Sequence, residues 1–104
     1  MFKNVIFDDV FVSEKLNEIT YYFILDTEVL KDFNIEIPEK TVHSELSISL
    51  PLDDQEIYNA VVEISPTVED DDYSEDIDWN EIVLPTDEIE ELIKIAKKEI
   101  KNEN

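Results

Sequence analysis

From Thr41 to Ile93 the chain carries 17 Asp or Glu and not one Lys or Arg. A fold for this sequence must hold that run largely at its surface, because an ionised carboxylate is costly to bury unless it is paired. The densest part is Glu69–Glu81, EDDDYSEDIDWNE, where eight of thirteen residues are acids and Tyr73, Ile77 and Trp79 sit among them. The flanks differ: residues 1–40 hold 9 acids against 4 Lys, and residues 94–104 hold 2 acids against 4 Lys. The formal charge of the whole is −20.

Charge of this size suggests disorder where apolar residues are scarce. Here 42% of the residues are hydrophobic and 10% aromatic, enough for a core in a single domain spanning residues 1–104. Glycine and cysteine are both absent. Without glycine the phosphate-cradling nucleotide motifs are excluded. Without cysteine so are disulfides, thiolate catalysis and cysteine-based zinc sites. No segment has the length of a membrane span, and acids at Asp8 and Asp9 interrupt MFKNVIFDDV, unlike a signal peptide. The expectation is a cytoplasmic protein with no membrane contact. Its negative charge also disfavours direct contact with nucleic acid.

Hydrophobic periodicity predicts an α+β fold. Asn4–Val12 and Glu18–Asp26 read as strands joined by a turn at Ser13–Asn17. In the second, Tyr21, Phe23 and Leu25 alternate with Tyr22 and Ile24, so both of its faces are expected to be covered. Residues 26–33 read as one or two helical turns capped by Asp26 or Thr27, and Asn34–Lys40 as a connector. Val42–Leu50 alternates as a half-buried strand, with Val42, Leu46, Ile48 and Leu50 inward and His43, Glu45, Ser47 and Ser49 outward. Glu56–Ile64 is the expected return strand, with Tyr58, Ala60, Val62 and Ile64 on its apolar side, and Ser65-Pro66 its end. A last short strand is expected around Ile77, Trp79 and Val83. Thr86 is the expected N-cap of a helix with Ile89, Leu92, Ile93, Ala96 and Ile100 on one face, acids in its first turns and lysines in its last. The whole is an antiparallel meander of four to five strands with a C-terminal amphipathic helix packed on one face.

Five constellations bear on function. Counting from Asp70, the residues Asp70, Asp72, Ser74, Asp76, Asp78 and Glu81 resemble the liganding positions of an EF-hand calcium loop, with Ile77 at its apolar position. The resemblance stops at Glu75, which stands where that loop needs glycine, and a strand rather than a helix precedes it. No specific metal site and no cofactor are expected. Pairs of carboxylates are inevitable among 28 acids, and a catalytic one needs a pocket that raises its pKa, so no enzyme is expected. His43 and Ser47 lie four residues apart on one strand, about 13 Å at about 3.3 Å per residue, too far to act as a pair; both are expected to be exposed. Trp79 is in phase with Ile77 and Val83 and is expected in the core, whereas Tyr73 is expected at the surface.

The fifth is the acidic surface itself. Solubility of a small domain needs a net charge of about 2–8 in magnitude, well below −20. Asp53, Asp54, Glu56, Glu63, Glu69, Asp70, Asp71, Asp72, Tyr73, Glu75, Asp76, Asp78 and Glu81 are the expected partner-binding residues, extended by Asp87, Glu88, Glu90 and Glu91. In composition, and in the run Glu45–Glu91, the chain resembles the phage- and plasmid-encoded DNA mimics that inhibit restriction enzymes, uracil-DNA glycosylase or CRISPR nucleases. No motif is shared, so the resemblance assigns no individual residue a role. It implies a non-enzymatic inhibitor whose partner is a basic nucleic-acid-binding protein. An immunity protein against a basic nuclease, or an accessory module binding through an apolar sheet edge, fits the same composition.

Overall fold

The computed structural model describes residues 2–102. In chain order its elements are β1 (Val5–Ser13), β2 (Glu18–Leu25), α1 (Val29–Asp32), β3 (Thr41–Pro51), a 3-10 turn (Ile57–Asn59), β4 (Val61–Asp70), β5 (Tyr73–Asp76), β6 (Asn80–Ile82) and α2 (Thr86–Asn102). The sheet runs β1-β2-β3-β4-β5 with all neighbours antiparallel, and β6 also pairs with β4. The expected α+β meander with a C-terminal helix is therefore the fold. The acidic stretch supplies two strands, β5 and β6, on the outer edge of β4.

Turns that commonly recruit glycine are made without it. Asn17, Asn34 and Lys40 take φ of 53°, 60° and 67°. Asparagine tolerates this left-handed region through its short polar side chain. Asn34 closes α1: its N–H bonds the Lys31 carbonyl at 3.1 Å, and the Ile35 N–H bonds that of Leu30 at 3.0 Å. These are the two bonds of a Schellman cap. At the other end of α1, neither Asp26 nor Thr27 caps. Glu28 precedes the helix without a side-chain bond, and the Asp26 carboxylate instead accepts from Asn4 at 2.8 Å.

Strand register builds the core. Phe23 of β2, Leu46 of β3 and Ile64 of β4 stand side by side on one face. Tyr21, Ile48 and Val62 form the adjacent row. Ile89, Leu92, Ile93 and Ala96 of α2 close over this face, as the helical spacing predicts. Phe7 of β1 meets Phe23 edge-to-face, ring centroids 5.9 Å apart. The Pro85 carbonyl accepts from the N–H groups of Glu88 and Ile89, so Thr86 is the first helical residue rather than the cap.

Three strand expectations need correction. The return strand starts at Val61, not Glu56; residues 57–59 form the 3-10 turn, and Tyr58 is 76% exposed. Pro66 does not end β4, which continues to Asp70 with Pro66 fully buried. A strand residue points its N–H and C=O to the same edge. The Pro66 carbonyl accepts from Ile77 N–H at 3.3 Å, so its missing N–H falls in the gap between β5 and β6, where no ladder bond is lost. Finally, β3 is covered on both faces along its middle: Glu45 and Ser47, expected outward and exposed, are buried, whereas Val42 near its start, expected inward, is 47% exposed.

Candidate functional site

The acids expected to bind a partner fall into distinct places. Asp53, Asp54 and Glu56 lie in the β3–β4 connection, beside the β1–β2 turn, where Asn17 Nδ2 donates to Asp53 at 2.9 Å. Asp54 accepts from Asn59 at 2.9 Å. Glu69, Asp70, Asp71 and Asp72 lie at the opposite end of the sheet, where Lys40 Nζ approaches Asp70 at 3.2 Å. The eleven residues of β3 separate these ends by about 33 Å. Asp87, Glu90 and Glu91 sit on exposed positions of α2, and Glu88 is half-buried there. Because α2 covers the core face, these acids belong to the opposite layer from the outer sheet face.

That outer face brings the rest together. In β4, Glu63, Ser65, Thr67 and Glu69 alternate away from the core residues Val62, Ile64 and Pro66. Register places Glu81 of β6 directly opposite Glu63, and Asp76 of β5 opposite Thr67, whose hydroxyl donates to it. Tyr22, Ser47, Glu63 and Glu81 thus form one row across four strands. Tyr73 and Glu75 alternate to the other side of β5. Tyr73 is exposed, as expected.

Trp79 is not in the core. The β5–β6 link holds it at the edge of β4: Asp78 N–H bonds Ser65 Oγ at 3.0 Å. Its ring reaches back over β3 to Tyr22, edge-to-face with centroids 6.3 Å apart. Ile77 and Val83, its partners in phase, are exposed as well. Two grooves result on this face. One, about 310 Å³, is lined by Glu18, Thr20, Tyr22, Ser47, Ser49, Glu63 and Trp79. The other, about 270 Å³, is lined by Asp8, Ile24, His43, Glu45, Thr67, Ser74, Glu75 and Asp76. A larger cleft of about 680 Å³ near α1 has a mainly apolar floor that includes Phe2, Val29, Phe33 and Leu84. Two of the charged residues lining it, Lys31 and Glu28, pair with each other at 3.1 Å.

Glu45 is the most perturbed group. Burial in β3, then a hydrogen bond with Asp8 and the charges of Asp8 and Asp76, push its carboxyl up to about 9. At neutral pH it carries a proton, available to its hydrogen bond with Asp8. Asp8 comes from β1 and Asp76 from β5, so the sheet curls to bring its two ends around the central strand. His43 Nε2 stands 4.0 Å from Glu45 Oε2, beyond hydrogen-bond reach. The pocket that a working acid needs is present here, yet Glu45 is only 6% exposed. Its proton removes one negative charge from the group it forms with Asp8 and Asp76.

Comparison with protein-family models, curated proteins and solved structures finds no match to this chain. Function rests on the chemistry of the surface alone. Glu18, Tyr22, Ser47, Glu45 and Asp8 lie outside the expected contact set. Their one sequence signal is the two-sided alternation of β2, which says that something covers the second face.

The residues of the calcium-loop pattern do not form one loop: Asp70 ends β4 in phase with its core side, whereas Asp76 and Glu81 stand opposite Thr67 and Glu63 on the outer face. Among the described residues no three acids or His gather as a metal site.

Proposed function

We propose that this chain is an acidic nucleic-acid mimic: it binds a basic DNA- or RNA-binding protein, a nuclease or other defence enzyme, and inhibits it by occupying its nucleic-acid groove. The observation that carries this reading is how little of the acidic stretch is neutralised internally. From Glu69 to Glu81 the only lysine partner among the described residues is Lys40, on Asp70. Glu69, Asp71, Asp72, Glu75, Asp78 and Glu81 are exposed. Dimensions support it too. The molecule is 39 Å long; duplex DNA of that length carries about 23 charges at one per about 1.7 Å, against a formal −20 here. Lysines and arginines that normally hold phosphates would find carboxylates at a comparable linear density, with bidentate pairs available to each arginine.

The second reading, binding through an apolar sheet edge, has its own observation. β1 is one edge of the sheet, and Ile6, Phe11, Val12 and, in the adjoining turn, Leu16 are exposed. Salt separates the two. Immobilised protein is challenged with a bacterial extract, the captured protein is identified, and its binding is measured from about 50 to 500 mM NaCl together with competition by duplex DNA. The mimic reading expects a basic nucleic-acid-binding protein, binding that falls steeply with salt, and mutual exclusion with DNA. A partner with a neutral or acidic contact surface, or binding indifferent to salt, overturns it.

A further inference from the structure

Three features of the groove under Trp79 point to one ligand chemistry. The first is Ser47. It is 95% buried by its 5% exposure, it lines the groove, and its hydroxyl has no hydrogen-bond partner among the described residues. The neighbouring hydroxyls of Thr20 and Ser49 satisfy each other at 3.0 Å, which leaves Ser47 Oγ free to take a donor. The second is like charge. Glu63 and Glu81 stand directly opposite each other on adjacent strands, an arrangement that destabilises a sheet, and Glu18 lines the same groove. The third is the aromatic wall formed by Tyr22 and Trp79.

We propose that this groove receives an arginine guanidinium presented by a protein partner, stacked on Trp79 and hydrogen-bonded to Glu63 and Ser47. The proposal rests on the reading of the acidic face as a partner surface. A planar guanidinium stacks on an aromatic ring while its edge donates a fork of N–H groups. It is more weakly hydrated than an ammonium and so loses less on entering a half-dry site. An anion meets the opposite field: the Tyr22 hydroxyl is pushed up first by burial, then by surrounding carboxylates, Glu18 foremost and Asp76 and Glu63 after it.

Trp79 is the sole tryptophan, so its emission reports on this groove directly. N-acetyl-arginine amide is titrated at constant ionic strength, with the lysine and citrulline analogues as controls. The expected result is a saturable change for arginine, binding at least about fivefold weaker for lysine, and none for citrulline. Glu63→Gln is expected to weaken arginine binding about tenfold or more, and Ser47→Ala about two- to tenfold, with melting temperatures confirming that both fold. Glu14→Gln, which removes one charge in the β1–β2 turn, is expected to change nothing. Absence of saturation, equal response to lysine or citrulline, or variants that bind like the parent overturns the inference. The basic partner captured above supplies the other arm. If it binds while the amide does not, this inference fails and the acidic-surface reading stands. If the amide binds but the partner is indifferent to Glu63→Gln, or no basic protein binds at all, a free guanidinium compound is the ligand and the partner-arginine assignment fails.

Discussion

A single side chain, Glu45, shows how this protein accommodates acids beyond its surface. Its carboxyl is raised from 4.5 to about 9, by burial first and then by Asp8 and Asp76. The folded state therefore binds a proton that the unfolded chain releases near its ordinary value. For an acid with a raised folded pKa, the contribution to stability is full below the unfolded pKa and declines as pH rises toward the folded one. Between about pH 5 and 8 the slope from this one group is about 1.4 kcal/mol per pH unit, falling. Glu45→Gln keeps the shape and a hydrogen bond to Asp8 but cannot ionise. Urea unfolding of both proteins across that range is expected to show the variant gaining on the parent by about that amount per unit. A constant difference would mean that Glu45 is ionised in the fold.

At the scale of elements, the β4–β5 hairpin sets each acid opposite an uncharged residue, yet it still gathers Glu69, Asp70, Asp71, Asp72, Glu75 and Asp76 at one end of the sheet, and their mutual repulsion works against the compact state. Replacing Asp70, Asp71, Asp72, Asp76 and Asp78 together by Asn relieves it while keeping an acceptor for Thr67 at position 76. Each exposed charge pair is worth only about 0–1 kcal/mol, so the fold is expected to persist with an equal or higher melting temperature. Capture of the basic partner is expected to be lost. Retained capture would move the contact surface elsewhere; a lost fold would make these acids structural. The elements that were legible in the sequence are those with local signals. The alternations of β2 and β3 and the helical spacing of α2 fall within about two residues of the observed limits. Others depend on what lies alongside. Whether Pro66 stops a strand is decided by which neighbour its absent N–H would face. Whether Trp79 enters the core is decided by where the β5–β6 link crosses β4. A run as poor in strand formers as Tyr73–Asp76 becomes a strand only because β4 offers it an edge. The same non-local cause hid the groove: Glu18 and Tyr22 on β2, Ser47 on β3 and Glu63 on β4 meet only through register.

For the molecule as a whole, charge and size set the response to salt. Its radius of gyration is 13.8 Å and its extents 39 × 29 × 27 Å. At 0.01 M salt the screening length is about 30 Å, comparable to the entire body, so most acids repel one another. At 0.15 M it is about 8 Å, and only near neighbours still interact. The unfolded chain holds the same charges farther apart, so added salt relieves the folded state more. Raising NaCl from about 10 to 150 mM is expected to raise the melting temperature by several degrees, since about 1 kcal/mol corresponds to about 4–8 °C in a domain of this size. Circular dichroism melts at fixed pH measure it directly. A falling melting temperature would mean that attractive pairs such as Lys40–Asp70 outweigh the repulsion. Partner binding through the same charges is expected to move the other way, weakening over the range where the fold strengthens. An interface built on the exposed apolar residues of β1 would share the first response and lack the second. The two titrations together therefore distinguish a surface built to attract cations from one that is merely crowded with acids.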